Sequence, residues 1–181
     1  LYLKSKGEAE HAMIELARST PLRLSILRPS VIFGEDDQFI NLFASLQKIF
    51  PFMPLGCANA RFQPVWVHDV ISAVLCLIHQ PRSITKADSG DLSAAEIYEL
   101  GGPDVFSLKE LVHIAGRYAG KQRPVLPLPL PLAKLQALMM QLMPGKTLMS
   151  LDNVASMQRP NTVSSQSVSY THLRAHETDS Y

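Results

Sequence analysis

The 181-residue chain is 46% hydrophobic and 18% charged, with a formal net charge of +1. That suits one domain or two small ones with a buried core, and it excludes a disordered chain. No basic stripe interleaves with aromatics, which argues against nucleic acid as a partner. Cys57 and Cys76 are too few for a disulfide framework and fit a reducing, cytoplasmic compartment.

The first residue is Leu, no signal peptide follows, and no uncharged apolar run reaches the length of a membrane span. The chain starts inside a helical pattern. It is therefore expected to be the C-terminal part of a longer protein.

Residues 4–18 read as a helix, with Ala9, Ala12, Met13, Leu16 and Ala17 at three- and four-residue spacing. Thr20-Pro21 ends it. Residues 22–27 read as a strand that runs into Arg28-Pro29-Ser30-Val31-Ile32-Phe33-Gly34. A strand closing on Pro and Gly suggests a loop at the carboxyl edge of a sheet, where ligands sit in open α/β folds. A second helix is predicted over 37–49, with Phe39, Ile40, Leu42, Phe43, Leu46 and Ile49 as its apolar face. Pro51, Pro54 and Gly56 break it. Residues 65–67 form a short strand, and Asp69 is expected to cap a third helix over 70–78. Residues 81–96 read as a polar loop and 97–100 as a strand closed by Gly101-Gly102-Pro103.

Ser107 with Glu110 three residues on is a capping box that opens a fourth helix, running to Tyr118 and stopping at Gly120. Residues 124–131 alternate Pro with Leu or Val and read as an extended, packed connector. An apolar, Met-rich helix over 132–143 and a weaker one over 150–158 follow. Strand–helix alternation points to an α/β fold.

Tyr2 and Lys6 lie four apart on a predicted helix, so they share one face. An ammonium beside a phenol favours the phenolate. Such a tyrosine passes a proton to or from a carbinol oxygen while a cofactor moves the hydride. The pattern is short, and without the surrounding segments two exposed residues in a first helical turn account for it better than a catalytic pair does.

Those segments carry a family resemblance. Tyr2-Leu3-Lys4-Ser5-Lys6-Gly7-Glu8-Ala9-Glu10, then residues 27–34, then Gln63-Pro64-Val65-Trp66-Val67-His68-Asp69-Val70, then Tyr98-Glu99-Leu100-Gly101-Gly102-Pro103 with its capped helix, occur in the order found in extended and atypical short-chain dehydrogenase/reductases. These include the NAD-dependent epimerases and dehydratases. The runs at 33–41 and 62–65 resemble most the atypical group that contains the NAD(P)-binding accessory subunit of respiratory complex I and its bacterial relatives. The likeness covers about residues 1–163.

The resemblance implies the C-terminal part of a doubly wound Rossmann-like fold plus a small substrate-side subdomain. Residues 1–34 and 65–103 would be the remainder of the NAD(P)-binding domain, and 35–64 and 104–165 the subdomain. Tyr2 would be the acid/base, and Lys6 its partner and a ribose ligand. Arg28, Pro29, Ser30 and Val31 would line the nicotinamide pocket; for Arg28 a surface position at a strand end is an equal reading. The implied cofactor is NADP or NAD, the substrate is open, and no metal is implied. The implied role of the parent is cofactor binding for structure, assembly or oxidoreduction; an active epimerase, dehydratase or reductase is the alternative. A protein of this group would be cytoplasmic or peripheral to the inner membrane.

The chain departs from the family in one respect. None of its nine glycines forms the Gly-x-Gly-x-x-Gly loop that carries the pyrophosphate. The isolated chain is therefore expected to bind no NADPH, and to be poorly soluble because the missing central strands would leave an apolar sheet edge unpaired. His68 and Asp69 read as a boundary residue and a cap rather than as catalytic groups, and the other histidines lack metal-ligand spacing. In residues 132–149, Met139, Met140, Leu142 and Met143 offer a soft face for a protein partner or membrane surface, against the plainer reading of internal packing. Residues 166–181 resemble translated adapter sequence and read as a non-native tail.

Overall fold

The computed structural model describes residues 2–20, 24–79, 95–142 and 151–163; the side chains of residues 2–3, 139–142, 151 and 153 are outside it. In chain order the elements are α1 (Tyr2–Ser19), β1 (Leu24–Pro29), β2 (Ile32–Phe33), α2 (Ile40–Ile49), β3 (Met53–Gly56), β4 (Arg61–Phe62) and β5 (Val65–Trp66). Then follow α3 (Val67–His79), β6 (Ala95–Leu100), β7 (Phe106–Ser107), α4 (Leu108–Tyr118), β8 (Val125–Leu128), α5 (Leu130–Leu142) and α6 (Leu151–Ser156). The chain divides into two compact units, one of Leu1–Pro29, Val67–Gly101 and Val163–Tyr181, the other of Ser30–Trp66 and Gly102–Thr162.

In the first unit β1 and β6 pair in parallel, from Leu24 opposite Ala95 to Pro29 opposite Leu100. Parallel strands need a long crossover, and here it includes α3. Buried Ala73 and Leu100 form the centre, with Leu27, Val70 and Cys76 packed around them. The apolar stripe expected on α1 buries only Ala17; Met13 and Leu16 are exposed. Asp69 is not a cap. Helix α3 already begins at Val67, so Asp69 sits in the first turn, where its charge complements the helix N-terminus. The polar loop expected over 81–96 lies outside the described residues up to residue 94, and the strand that follows starts at Ala95 rather than at residue 97.

The second unit is built from short pairings. β2–β5 and β3–β8 are parallel, and β4–β7 is antiparallel. Its core holds Met53, Leu55, Phe62, Leu108, Leu111 and Val112, with Phe39, Phe43 and Leu46 of the α2 region packed on it. Phe39 and Phe43 meet edge to face at 5.4 Å. Ile49, expected on the same face, is exposed.

Helix α2 starts at Ile40, three residues later than the predicted span of 37–49. The Asp37 carboxylate accepts the N–H groups of Phe39 (2.9 Å) and Ile40 (2.6 Å), which holds residues 37–39 in a turn. The segment after α2 forms β3 despite Pro54, and the Pro-rich connector forms β8 despite Pro127. Among the described residues the two strands pair only with each other, so each keeps an edge where a missing N–H costs nothing.

Helix α4 shows both end signals. The Ser107 hydroxyl accepts from the Glu110 N–H, and the Glu110 carboxylate accepts from the Ser107 N–H at 2.6 Å. At the other end Gly120 takes φ +71°, Lys121 N–H reaches the Gly116 carbonyl at 2.9 Å and Gly120 N–H reaches that of Arg117 at 3.1 Å. These are the two bonds of a Schellman cap. Ala133 and Ala137 of α5 and Val154 of α6 are buried. The Met-rich face predicted at Met139, Met140, Leu142 and Met143 lies outside the described side chains, as does the tail at 166–181.

Candidate functional site

Helix α1 carries the predicted pair. Its backbone is helical from Tyr2, and Lys6 lies one turn on. The Tyr2 side chain is outside the described residues. Residues 4–9 are all exposed, Lys6 among them, and Glu10 is the first half-buried residue.

Arg28, the penultimate residue of β1, meets Glu10. Its Nε donates to one carboxylate oxygen at 3.2 Å and its Nη2 donates to the other. Its Nη1 lies 3.9 Å from Glu99, its neighbour in the β1–β6 register. The hydrogen bond to Glu10 is the largest influence on the guanidinium, outweighs its desolvation, and holds it protonated above its ordinary range. Arg28 is thus an exposed residue held by its neighbours; it joins α1, β1 and β6. Pro29 closes β1 opposite Leu100.

Ser30 and Val31 open the second unit. The buried Ser30 hydroxyl donates to the Asn161 carbonyl at 2.8 Å and accepts from the Gln63 N–H at 3.3 Å. The Val31 carbonyl accepts from the Val65 N–H at 2.9 Å, and its side chain packs on the core. Gln63 continues the network: its side-chain amide donates to the Gly102 carbonyl at 2.7 Å, and the Gly102 N–H returns to the Gln63 carbonyl at 3.4 Å. Asn161 N–H donates to the Arg61 carbonyl at 2.8 Å. Gln63 and Gly102 fall in segments that carry the family likeness, but their mutual bonding is not readable from them. Nothing in the sequence marks Asn161.

The structure therefore places Lys6, Arg28 and Pro29 in the first unit and Ser30 and Val31 in the second. His68 and Asp69 lie in the first turn of α3. Among the described residues no group of three or more His, Cys, Asp or Glu is placed to hold a metal ion.

Two cavities formed by described residues lie in the second unit, and the predicted residues line neither. One of about 620 Å³ lies between α2 and α4, against Ile40, Asn41, Lys48, Leu111, Ile114 and Tyr118. The other, about 360 Å³, is lined by the loop from Cys57 to Arg61 together with Leu128 and Arg159. Cys57 takes φ +54°, a left-handed conformation that costs a non-glycine residue about 1–2 kcal/mol. Burial pushes its thiol above the usual range, which leaves it a poor nucleophile.

No family model matches the chain. Its sequence is 29% identical over 180 residues to the mitochondrial NADH dehydrogenase [ubiquinone] 1 alpha subcomplex subunit 9 of Arabidopsis thaliana, a match covering 94% of this chain and 42% of that protein. Among solved structures it is similar to the Thermus thermophilus UDP-glucose 4-epimerase in complex with NAD, with a TM-score of 0.56 at 20% identity over 96% of this chain and 53% of the other. It is also similar to gox2253, with a TM-score of 0.60 at 18% identity over 91% of this chain and 48% of the other. The chain thus spans about half or less of each protein it matches. By these measures it is a sequence relative of that NADH dehydrogenase subunit with an α/β, Rossmann-like fold similar to that of the epimerase.

Proposed function

We propose that the full-length protein binds a nicotinamide dinucleotide, NAD or NADP, in a structural, assembly or oxidoreductase role. The observation that carries this is the match to the NADH dehydrogenase subunit over nearly the whole chain. The fold shared with an epimerase solved with NAD supports it. Residues 1–34 and 65–103 would be the cofactor side and 35–64 and 104–165 the substrate side, so that Ser30 to Gly34 of the cofactor side fall in the second compact unit.

The residues of this chain fit the cofactor in part. Lys6 is exposed on α1 and suits a ribose hydroxyl. Tyr2, one turn before it, would hold or pass a proton to a substrate oxygen. Bound nicotinamide would supply or accept the hydride. Ser30 and Val31 already spend their hydroxyl and carbonyl inside the second unit, so they would meet a cofactor through the remaining backbone. The pyrophosphate-binding loop is not among these residues.

Titration of the full-length protein with NADH and NADPH is expected to show saturable binding of at least one, weakened about tenfold by Lys6→Ala through loss of a charge-assisted hydrogen bond. Absence of saturable binding to either dinucleotide overturns the proposal.

A second reading, an active epimerase, dehydratase or reductase using Tyr2 and Lys6, has one observation in its favour. Arg61 and Arg159 both line the smaller cavity, and guanidinium groups suit the phosphates of a nucleotide sugar. Turnover of UDP-glucose that is abolished by Tyr2→Phe would establish it, and binding of NADH without turnover would remove it.

Residues 132–149 would meet a protein partner or a membrane surface. No helix among the described residues is long and apolar enough to cross a membrane. Leu132, Leu135 and Leu138 of α5 are nevertheless exposed at three-residue spacing. Co-sedimentation with liposomes should fall when Leu135 and Leu138 become Gln; equal partitioning counts against this contact.

A further inference from the structure

We propose that Arg28 is a positioning residue: its fork on Glu10 fixes the rotation and docking of the half of α1 that carries Tyr2 and Lys6. The inference rests on the reading that this pair serves the cofactor.

The argument begins with where α1 is anchored. Its buried apolar contact is Ala17, near the C-terminal end, while Met13 and Leu16 are exposed. Residues 4–9 are exposed throughout. Apolar packing therefore secures the last turns and leaves the first turns without a buried residue among those described. A helix held at one end frays at the other.

Glu10 is where that half is drawn back to the sheet. Residues 2, 6 and 10 advance by four, about 40° of arc each, so they share one face of α1. Arg28 engages both oxygens of the Glu10 carboxylate, an arrangement that fixes orientation as well as distance. Glu99, beside Arg28 on β6, braces the third guanidinium nitrogen at 3.9 Å. Arg28 immediately precedes Pro29, the last residue of β1. The fork therefore ties the Tyr2–Lys6–Glu10 face to the carboxyl end of the β1–β6 pair. A lysine has one donor centre and cannot reproduce a three-nitrogen contact across three elements.

The test uses the full-length protein and two independent readouts. Amide hydrogen exchange without cofactor reads the tether alone. Arg28→Gln and Glu10→Gln should each quicken exchange over residues 6–12 about tenfold, the double variant should match either single one, and residues 14–18 should change by less than about twofold. Arg28→Lys should fail to rescue, whereas Glu99→Gln, which keeps the fork, should have the smaller effect. The dissociation constant for NADH should rise about tenfold in Arg28→Gln. Unchanged exchange in residues 6–12, uniform quickening along α1, wild-type behaviour of Arg28→Lys, or an unaltered NADH constant beside altered exchange would each overturn the proposal. If the unsubstituted protein binds no NADH, the cofactor reading falls by itself, and the exchange data still decide whether the tether exists.

Discussion

Gln47 has no solvent exposure, and its amide is fully used. The nitrogen donates to the Val112 carbonyl at 2.8 Å, and the oxygen accepts from the Arg123 N–H at 3.1 Å. It locks α2 to α4 and to the segment after α4. Gly116 makes room for it, because a β-carbon there would lie 2.2 Å from the Gln47 amide oxygen. Gly116→Ala gains about 1 kcal/mol of helix propensity. It also displaces an amide whose two buried bonds cost about 1–3 kcal/mol each when left unmade. The net expectation is a loss of about 2 kcal/mol, read as a lower midpoint in urea with unchanged slope. The capping box gives a second residue-scale prediction. Hydrogen bonds from the Ser107 backbone, then its hydroxyl, hold the Glu110 carboxyl below the usual range. A depressed folded value means the contribution is present at neutral pH and is lost as the pH falls from about 4.3 through that lower value. Glu110→Gln keeps an acceptor for the cap but does not titrate. Melting temperatures of the two forms should converge as the pH drops through this window, and a constant gap would refute the assignment. The capping box was legible in the sequence because both partners lie within one turn. Gln47 and Asn161 were not, since Gln47 bonds a residue 65 positions away and Ser30 meets Asn161 at 131.

At the scale of elements, the hydrophobic periods located most of the helices but misplaced their starts. The apolar pattern of α2 runs back to Phe39, the regular helix starts at Ile40, and the Asp37 carboxylate accepts the N–H groups of Phe39 and Ile40 at its entry. Asp37→Ala should cost about 1 kcal/mol, as removal of a capping side chain does, and should lower the melting temperature without altering the fold by circular dichroism. At α3 the error was of the opposite kind. Asp69 looked like a cap because acids favour both the cap and the first turn, and sequence alone does not separate positions two or three residues apart. β3 and β8 were missed as strands because prolines read as breakers. Only the pairing, with Pro54 opposite Leu126 and Leu55 opposite Pro127, shows that each proline lies on a two-stranded ladder with open edges. Such pairings are non-local, and no window of sequence contains both halves.

For the molecule as a whole, family order was more legible than side-chain geometry. The ordered segments identified the fold type, whereas the role of Arg28 as a brace between Glu10 and Glu99 required coordinates. The first unit also has a surface that a lone chain does not explain. Parallel strands are ordinarily covered on both faces, yet β1 and β6 are only partly buried and Ile97 is exposed. On α3, Ile71, Val74, Leu75 and Ile78 recur at the spacing of a packing stripe, and all four are exposed, Ile78 at 70%. A contiguous apolar face of this kind marks an interaction surface or an aggregation hazard. The 181-residue chain by itself should therefore self-associate at micromolar concentration, seen as concentration-dependent light scattering. Replacing Ile71 and Ile78 with Lys should reduce that scattering while leaving the melting temperature nearly unchanged, because exposed side chains contribute little to folding. A monodisperse monomer for the unsubstituted chain would show that the stripe is tolerated in water.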